Sequence, residues 1–172
     1  CAETCIAFKP NTAFFEGAGV EGILQLYALC HYIKAQHPEH LLIIDAKRGD
    51  IGNTAIQYAE FALHHLRGDA CTLHPYMGRD SIQPFLDIEG KWAIILGLTS
   101  NPSARDLQLQ PLGEEPLYLK VIRQSLEYAN PSCSMFVVGA TQAERLKIIR
   151  NIAPKHFFLI PGIGAQGGDL LQ

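Results

Sequence analysis

"LLIIDAKRGDIGNTA", residues 41–55, sets Asp45, Lys47, Arg48 and Asp50 directly behind the hydrocarbon run Leu41–Ile44. An unbroken apolar run marks a strand buried on both faces, as in a parallel sheet, whereas a strand with one wet face alternates apolar and polar residues. Side chains on a strand alternate, so Asp45 and Lys47 project to one side if the strand continues that far. The stretch therefore predicts a buried parallel strand whose C-terminal tip carries alternating acid and base.

The same grammar recurs along the chain. Apolar runs at 5–10, 41–45, 70–76, 92–100, 134–141 and 156–164 alternate with helix-like stretches. In 22–36 the residues Ile23, Leu26, Tyr27, Cys30 and Ile33 form one helical stripe; in 51–66 the stripe is Ile51, Ala55, Tyr58, Ala59, Ala62 and Leu66. Shorter helical pieces fall at 81–86, 116–129 and 142–152. Strand–helix alternation means an α/β protein, either a doubly wound sheet or a (β/α)8 barrel. Charged and glycine-rich residues follow every strand: Lys9, Asp45 to Asp50, His74, Thr99 to Asn101, Gly139, and Gly162 to Gly168. A barrel gathers all its strand ends around one mouth, whereas an open sheet uses chiefly its switch point. The barrel is the better reading. Such a barrel needs eight strands and about 250 residues, so residues 1–172 are read as one TIM-barrel domain holding strands two to seven. The first and eighth strands are expected to lie outside residues 1–172.

Composition sets outer limits. Hydrophobic residues make up 48% and charged residues 18%, the balance of a globular protein. A formal net charge of -3 argues against a general nucleic-acid surface, which needs a positive field, but not against a locally basic pocket for a small anion. No apolar run approaches the roughly 20 residues of a membrane span. Five cysteines with no C-x-x-C pair read as free thiols in a reducing compartment rather than a disulfide framework. Cytoplasmic localisation is the expectation. His64 and His65 have no histidine partner at helical spacing, and no metal site is predicted.

Taken alone, D-x-K-x-x-D in a loop is more often a surface ion pair followed by an aspartate that caps the next helix. A buried strand changes that balance, because its tip opens into the mouth of the barrel. A lysine among carboxylates is favoured as the ammonium, and rigidly held alternating charges are what electrostatic catalysis requires.

"DAKRGDIGNT" resembles the D-x-K-x-x-D-I-x-x-T signature of the orotidine 5′-phosphate decarboxylase family, closest to its bacterial branch. "AFKPNTAFFE", "TLHPYMG", "LTSNPSA" and "PGIGAQGGD" complete the resemblance in the family's order over nearly all the chain. The resemblance implies decarboxylation of orotidine 5′-monophosphate to uridine 5′-monophosphate in pyrimidine biosynthesis, without metal or organic cofactor. It implies that Lys47 protonates the pyrimidine C6, that Asp45 lies beside the departing carboxylate, and that Lys9 binds the ribose and completes a Lys9–Asp45–Lys47–Asp50 charge network. Asp50 and Thr54 match residues that reach the neighbouring subunit's ribose, which makes the expected assembly a homodimer. Ser100 matches a pyrimidine contact, and Gln166 a phosphate contact in a loop where Gly164 and Gly167 let backbone N–H groups approach the anion. The segment 106–115 and the loop after Gly168 are candidate lids. Two rival readings are a magnesium-dependent sugar-phosphate decarboxylase or synthase of the same superfamily, and a non-catalytic phosphate-binding relic. The I-x-x-T after Asp50 and the "TSNP" loop favour the nucleotide enzyme.

Overall fold

In a computed structural model of the chain, residues 2–163 are described. The chain divides into two compact units, Cys1–Ala93 and Ile94–Gln172, whose boundary falls inside a strand.

The first unit opens with β1 (Ala7–Phe8), the short helix α1 (Thr12–Glu16) and the long helix α2 (Gly19–Gln36). Next come β2 (Leu41–Arg48), α3 (Gly52–Ala59), β3 (Ala70–Leu73) and α4 (Gln83–Leu86). The strand order is β1-β2-β3, and both pairings are parallel, with Ala7 opposite Leu41 and Ile43 opposite Ala70. Leu42, Ile43, Ile44 and Asp45 are buried consecutively, as the unbroken hydrocarbon run predicts for a strand covered on both faces. The start of β4 (Trp92–Leu98) belongs here too, its Trp92 N–H bonding to the Asp69 carbonyl at 2.9 Å.

Both predicted helical stripes are present, each with one correction. On α2, Leu26, Cys30 and Ile33 are buried, but Tyr27 is 44% exposed and stacks on the His31 ring with centroids 4.0 Å apart. Tyr27 lies about 100° around the helix from Leu26, at the margin of the stripe, where a phenol keeps its hydroxyl wet. On the second helix, Ala55 and Ala59 are buried, whereas Ile51 precedes the helix as its N-cap residue and is exposed. Past Ala59 the helix widens into a π segment, Glu60–His65, and this widening turns Ala62, Leu63 and Leu66 together into the core.

The second unit contains most of β4, the short helix α5 (Ala104–Leu107), a hairpin of β5 (Pro111–Leu112) and β6 (Glu115–Pro116), α6 (Leu117–Leu126), β7 (Ser134–Val138), α7 (Ala143–Ile152) and β8 (Phe157–Leu159). Its strand order is β4-β7-β8, with Met135 opposite Phe157 in parallel register. Ile94, Ile95, Leu98, Phe136 and Val138 fill its core under Ile122 of α6 and Ile149 of α7. Six parallel strands are therefore present among the described residues, separated by helices as the sequence predicts.

The four described cysteines are free thiols. Burial pushes Cys30 up to about 11 and Cys71 up to about 12, so both behave as small core hydrophobes.

Candidate active site

The site grows from the tip of β2, where the strand is irregular. Ile44 pairs with Cys71 and Arg48 with Leu73, so four steps along β2 match two along β3. The surplus is absorbed by a bulge in which Lys47 takes φ +47°, a left-handed conformation that a lysine adopts only where its surroundings enforce it. The bulge aims Lys47 back at the side chain two residues before it. Its ammonium Nζ donates to Asp45 Oδ1 at 2.6 Å.

The second lysine arrives from β1. Lys9 follows Phe8 directly and donates to the other oxygen, Asp45 Oδ2, at 2.7 Å. Pro10 contributes a carbonyl that accepts the Asp45 N–H at 3.0 Å, and Asn11 bridges to Asp45 in parallel before its side chain caps α1 through the Ala13 N–H. The "FKPN" motif is thus a short edge laid along the tip of β2.

Asp45 is 5% exposed. Burial pushes its carboxyl up, but the hydrogen bonds and charges of Lys47 and Lys9 outweigh it and hold the group below the usual carboxylate range. The result is a buried carboxylate that stays ionised between two ammonium groups, whose side chains are 36% and 46% exposed for Lys9 and Lys47. The acid is sealed in and the cations face outward. Such a group can fix charge in space and offer a proton at a defined point.

Thr72 in β3 is a member that sequence reading missed. It is 1% exposed, accepts the Lys47 backbone N–H at 2.9 Å, and donates its own proton to Asp45 Oδ1 at 2.9 Å. A threonine inside an apolar strand gives no signal of its own; only the β2–β3 register reveals it. Gly49 contributes by its lack of a side chain. A Cβ there would lie 3.0 Å from the His74 Cβ, so the glycine lets the loop close on the end of β3, where the His74 N–H reaches the Arg48 carbonyl at 2.7 Å.

Asp50 is not the cap of α3, since Ile51 takes that place without a side-chain cap bond. The Asp50 carboxylate accepts the Ile51 N–H at 2.8 Å and has no ion pair within the chain among the described residues. The network inside one chain is therefore Lys9–Asp45–Lys47 with Thr72. Thr54 is exposed on the first turn of α3. Arg48 pairs with Glu16 and lies over the Tyr58 ring at 5.0 Å, a structural clasp.

In the second unit, Ser100 follows β4 in a turn fastened by three hydrogen bonds with Gln108 and Thr141. Gln108 accepts the Thr99 N–H at 2.8 Å and donates to the Thr99 hydroxyl at 2.7 Å. Thr141 donates to the Ser100 carbonyl at 3.0 Å. A Cβ on Gly139 would stand 2.6 Å from Ser100 Cα and N, so only glycine allows that approach. Ser100, Asn101, Pro102, Ala104, Leu109 and Thr141 line a cavity of about 590 Å³. Gln108 belongs to the candidate lid segment and ties its N-terminal part to the Thr99 turn. Gly164, Gln166, Gly167 and the loop after Gly168 lie outside the described residues.

The pattern of the family described as "Orotidine 5'-phosphate decarboxylase / HUMPS family" matches residues 1–172. The chain belongs to this family. It is 51% identical over 170 residues to the orotidine 5'-phosphate decarboxylase of Bacteroides fragilis, covering 98% of this chain and 62% of that protein. The enzyme of the same name from Parabacteroides distasonis is 45% identical over 172 residues, 99% of this chain and 61% of that protein. The solved structure of Leishmania donovani OMP decarboxylase matches with a TM-score of 0.88 at 41% identity, covering 94% of this chain and 64% of that one. The chain thus spans about six tenths of the length of the curated relatives it matches. The OMP decarboxylase likeness fixes the fold class as the (β/α)8 barrel that the strand-end pattern predicts; no strand corresponding to the expected first and eighth is among the described residues.

Proposed function

We propose that the full-length protein decarboxylates orotidine 5′-monophosphate to uridine 5′-monophosphate. The observation that carries this reading is the ionised, buried Asp45 clamped between Lys9 and Lys47, with Lys47 held in a left-handed bulge. In the proposed step the bond from C6 to the carboxylate breaks and carbon dioxide leaves. The electron pair stays on C6 and takes a proton from the Lys47 ammonium, whose amine then regains a proton from solvent. Asp45 keeps Lys47 in place and raises the energy of a substrate carboxylate brought beside it, an effect relieved as the carboxylate departs. No metal or organic cofactor enters this scheme.

Lys9 binds the ribose, Ser100 the pyrimidine, and Gln166 with Gly164 and Gly167 the phosphate. Asp50, whose carboxylate has no cation within its own chain among the described residues, and the exposed Thr54 reach the neighbouring site in a homodimer. Family membership and the names of the relatives support the substrate and product. Among the described residues no helix is long and apolar enough to cross a membrane; localisation is proposed as cytoplasmic.

The deciding experiment follows the absorbance of orotidine 5′-monophosphate with full-length protein in EDTA, beside Lys47→Ala. Loss of absorbance that requires Lys47 is expected. No loss in EDTA, followed by turnover of a sugar phosphate on adding magnesium, would move the assignment to the metal-dependent branch of the superfamily.

A further inference from the structure

We infer that Thr72 is a positioning residue for the proton donor, its hydroxyl locking both the backbone and the ammonium of Lys47 onto Asp45. This rests on the assignment of Lys47 as the acid. The hydroxyl sits in β3 opposite the bulge, between the register pairs Ile44–Cys71 and Arg48–Leu73. It accepts the Lys47 backbone N–H at 2.9 Å and donates to Asp45 Oδ1 at 2.9 Å, the same oxygen that takes the Lys47 ammonium at 2.6 Å. Backbone and side chain of one lysine are thereby tied to a single buried oxygen pair.

The direction of these bonds is fixed by chemistry. An amide N–H can only donate, so Thr72 Oγ1 must accept there, and its single proton is left for the carboxylate. The hydroxyl therefore reports on and favours the ionised form of Asp45. It also satisfies an amide that the bulge has pulled out of the strand ladder. Left-handed backbone at a non-glycine residue persists only where the surroundings over-determine it. Thr72 is what holds it. Without the hydroxyl, Lys47 can relax toward an ordinary strand conformation, and its ammonium swings away from the point where the proton is delivered.

A residue that merely filled the core would affect folding alone. A positioning residue affects the chemical step, and a misplacement of about 1 Å can cost on the order of a hundredfold in rate. The test uses full-length protein and steady-state kinetics on orotidine 5′-monophosphate for wild type, Thr72→Val, Thr72→Ser and Lys47→Ala. Valine keeps the shape and removes the hydroxyl; serine restores the hydroxyl without the methyl. The expected result is a fall in kcat of about ten- to a hundredfold for valine with KM nearly unchanged, and a serine variant within a few-fold of wild type. If the valine chain does not fold, Thr72→Ala is read in the same way, with the same split expected. Folded valine or alanine protein with kcat within twofold of wild type overturns the inference, as does a serine variant no better than either. Wild-type activity that survives Lys47→Ala defeats the underlying assignment instead.

Discussion

Two places in the first unit hold one aspartate between two lysines, and they do different work. At the tip of β2, Asp45 joins Lys9 and Lys47. At the foot of β3, Asp69 joins Lys34 at 2.9 Å and Lys91 at 3.8 Å. At the foot all three side chains are similarly covered, about one-fifth exposed, and the Asp69 oxygens are also spent on the Leu42 N–H at 2.8 Å. Lys91 meanwhile donates to the Gly68 carbonyl at 2.8 Å. That cluster stitches α2, β2 and β3 together and leaves nothing over. At the tip, the carboxylate is sealed while both cations stay partly open, and the backbone of one is bent to bring it there. Identical residue types become a stitch or the proposed reactive site according to which charge faces outward and where the backbone is strained.

The sharpest way to break this comparison is Lys47→Ala against Asp69→Asn. Loss of the tip lysine should lower kcat of the full-length protein by about 10²–10⁴-fold, the usual worth of a positioned proton donor, with a circular dichroism spectrum close to wild type. Asp69→Asn should do the reverse. It removes a charge from two lysines and weakens the acceptor for the Leu42 N–H, so a loss of about 1–3 kcal/mol in unfolding free energy is expected, with kcat per folded molecule unchanged. A foot variant that lost activity while keeping its stability would erase the distinction.

The pH dependence of Asp45 sharpens it further. Its folded carboxyl titrates below the unfolded value of about 3.9. The stabilisation it supplies is therefore fully present above about pH 4 and is lost as pH falls through the folded value. Urea midpoints of wild type and Asp45→Asn, measured from pH 6 downward, should converge below pH 4; curves that stay parallel would mean that Asp45 is not held ionised.

The smallest effect is expected for Lys91→Met. Its ion pair to Asp69 is long, and part-exposed pairs of this kind contribute about 0–1 kcal/mol. A change in midpoint near the error of the urea titration is the expected outcome, and a large one would promote Lys91 to a structural anchor.

Much of this was legible beforehand because it is written in local pattern. The hydrocarbon run Leu41–Ile44 forced a strand buried on both faces, and the charges behind it had nowhere to go but its tip. The helical stripes were readable from period alone, and erred only where a residue sat at a margin, as with Tyr27, or outside the helix, as with Ile51. Asp50 taken alone could be read as the cap of the following helix, the reading that the buried strand tip argued against; its bond goes to the very next N–H instead.

By itself, then, the sequence determined the alternation of strand and helix, the position of the acid–base tip, and the identity of Lys9, Asp45 and Lys47, because hydrophobic period and charge order are properties of neighbours along the chain. Only tertiary structure decided the two-residue surplus in β2, the left-handed Lys47 and the part played by Thr72, which meets Asp45 across a separation of 27 residues. Register between strands is set by how whole elements pack, and no local pattern encodes which hydroxyl will end opposite which bulge.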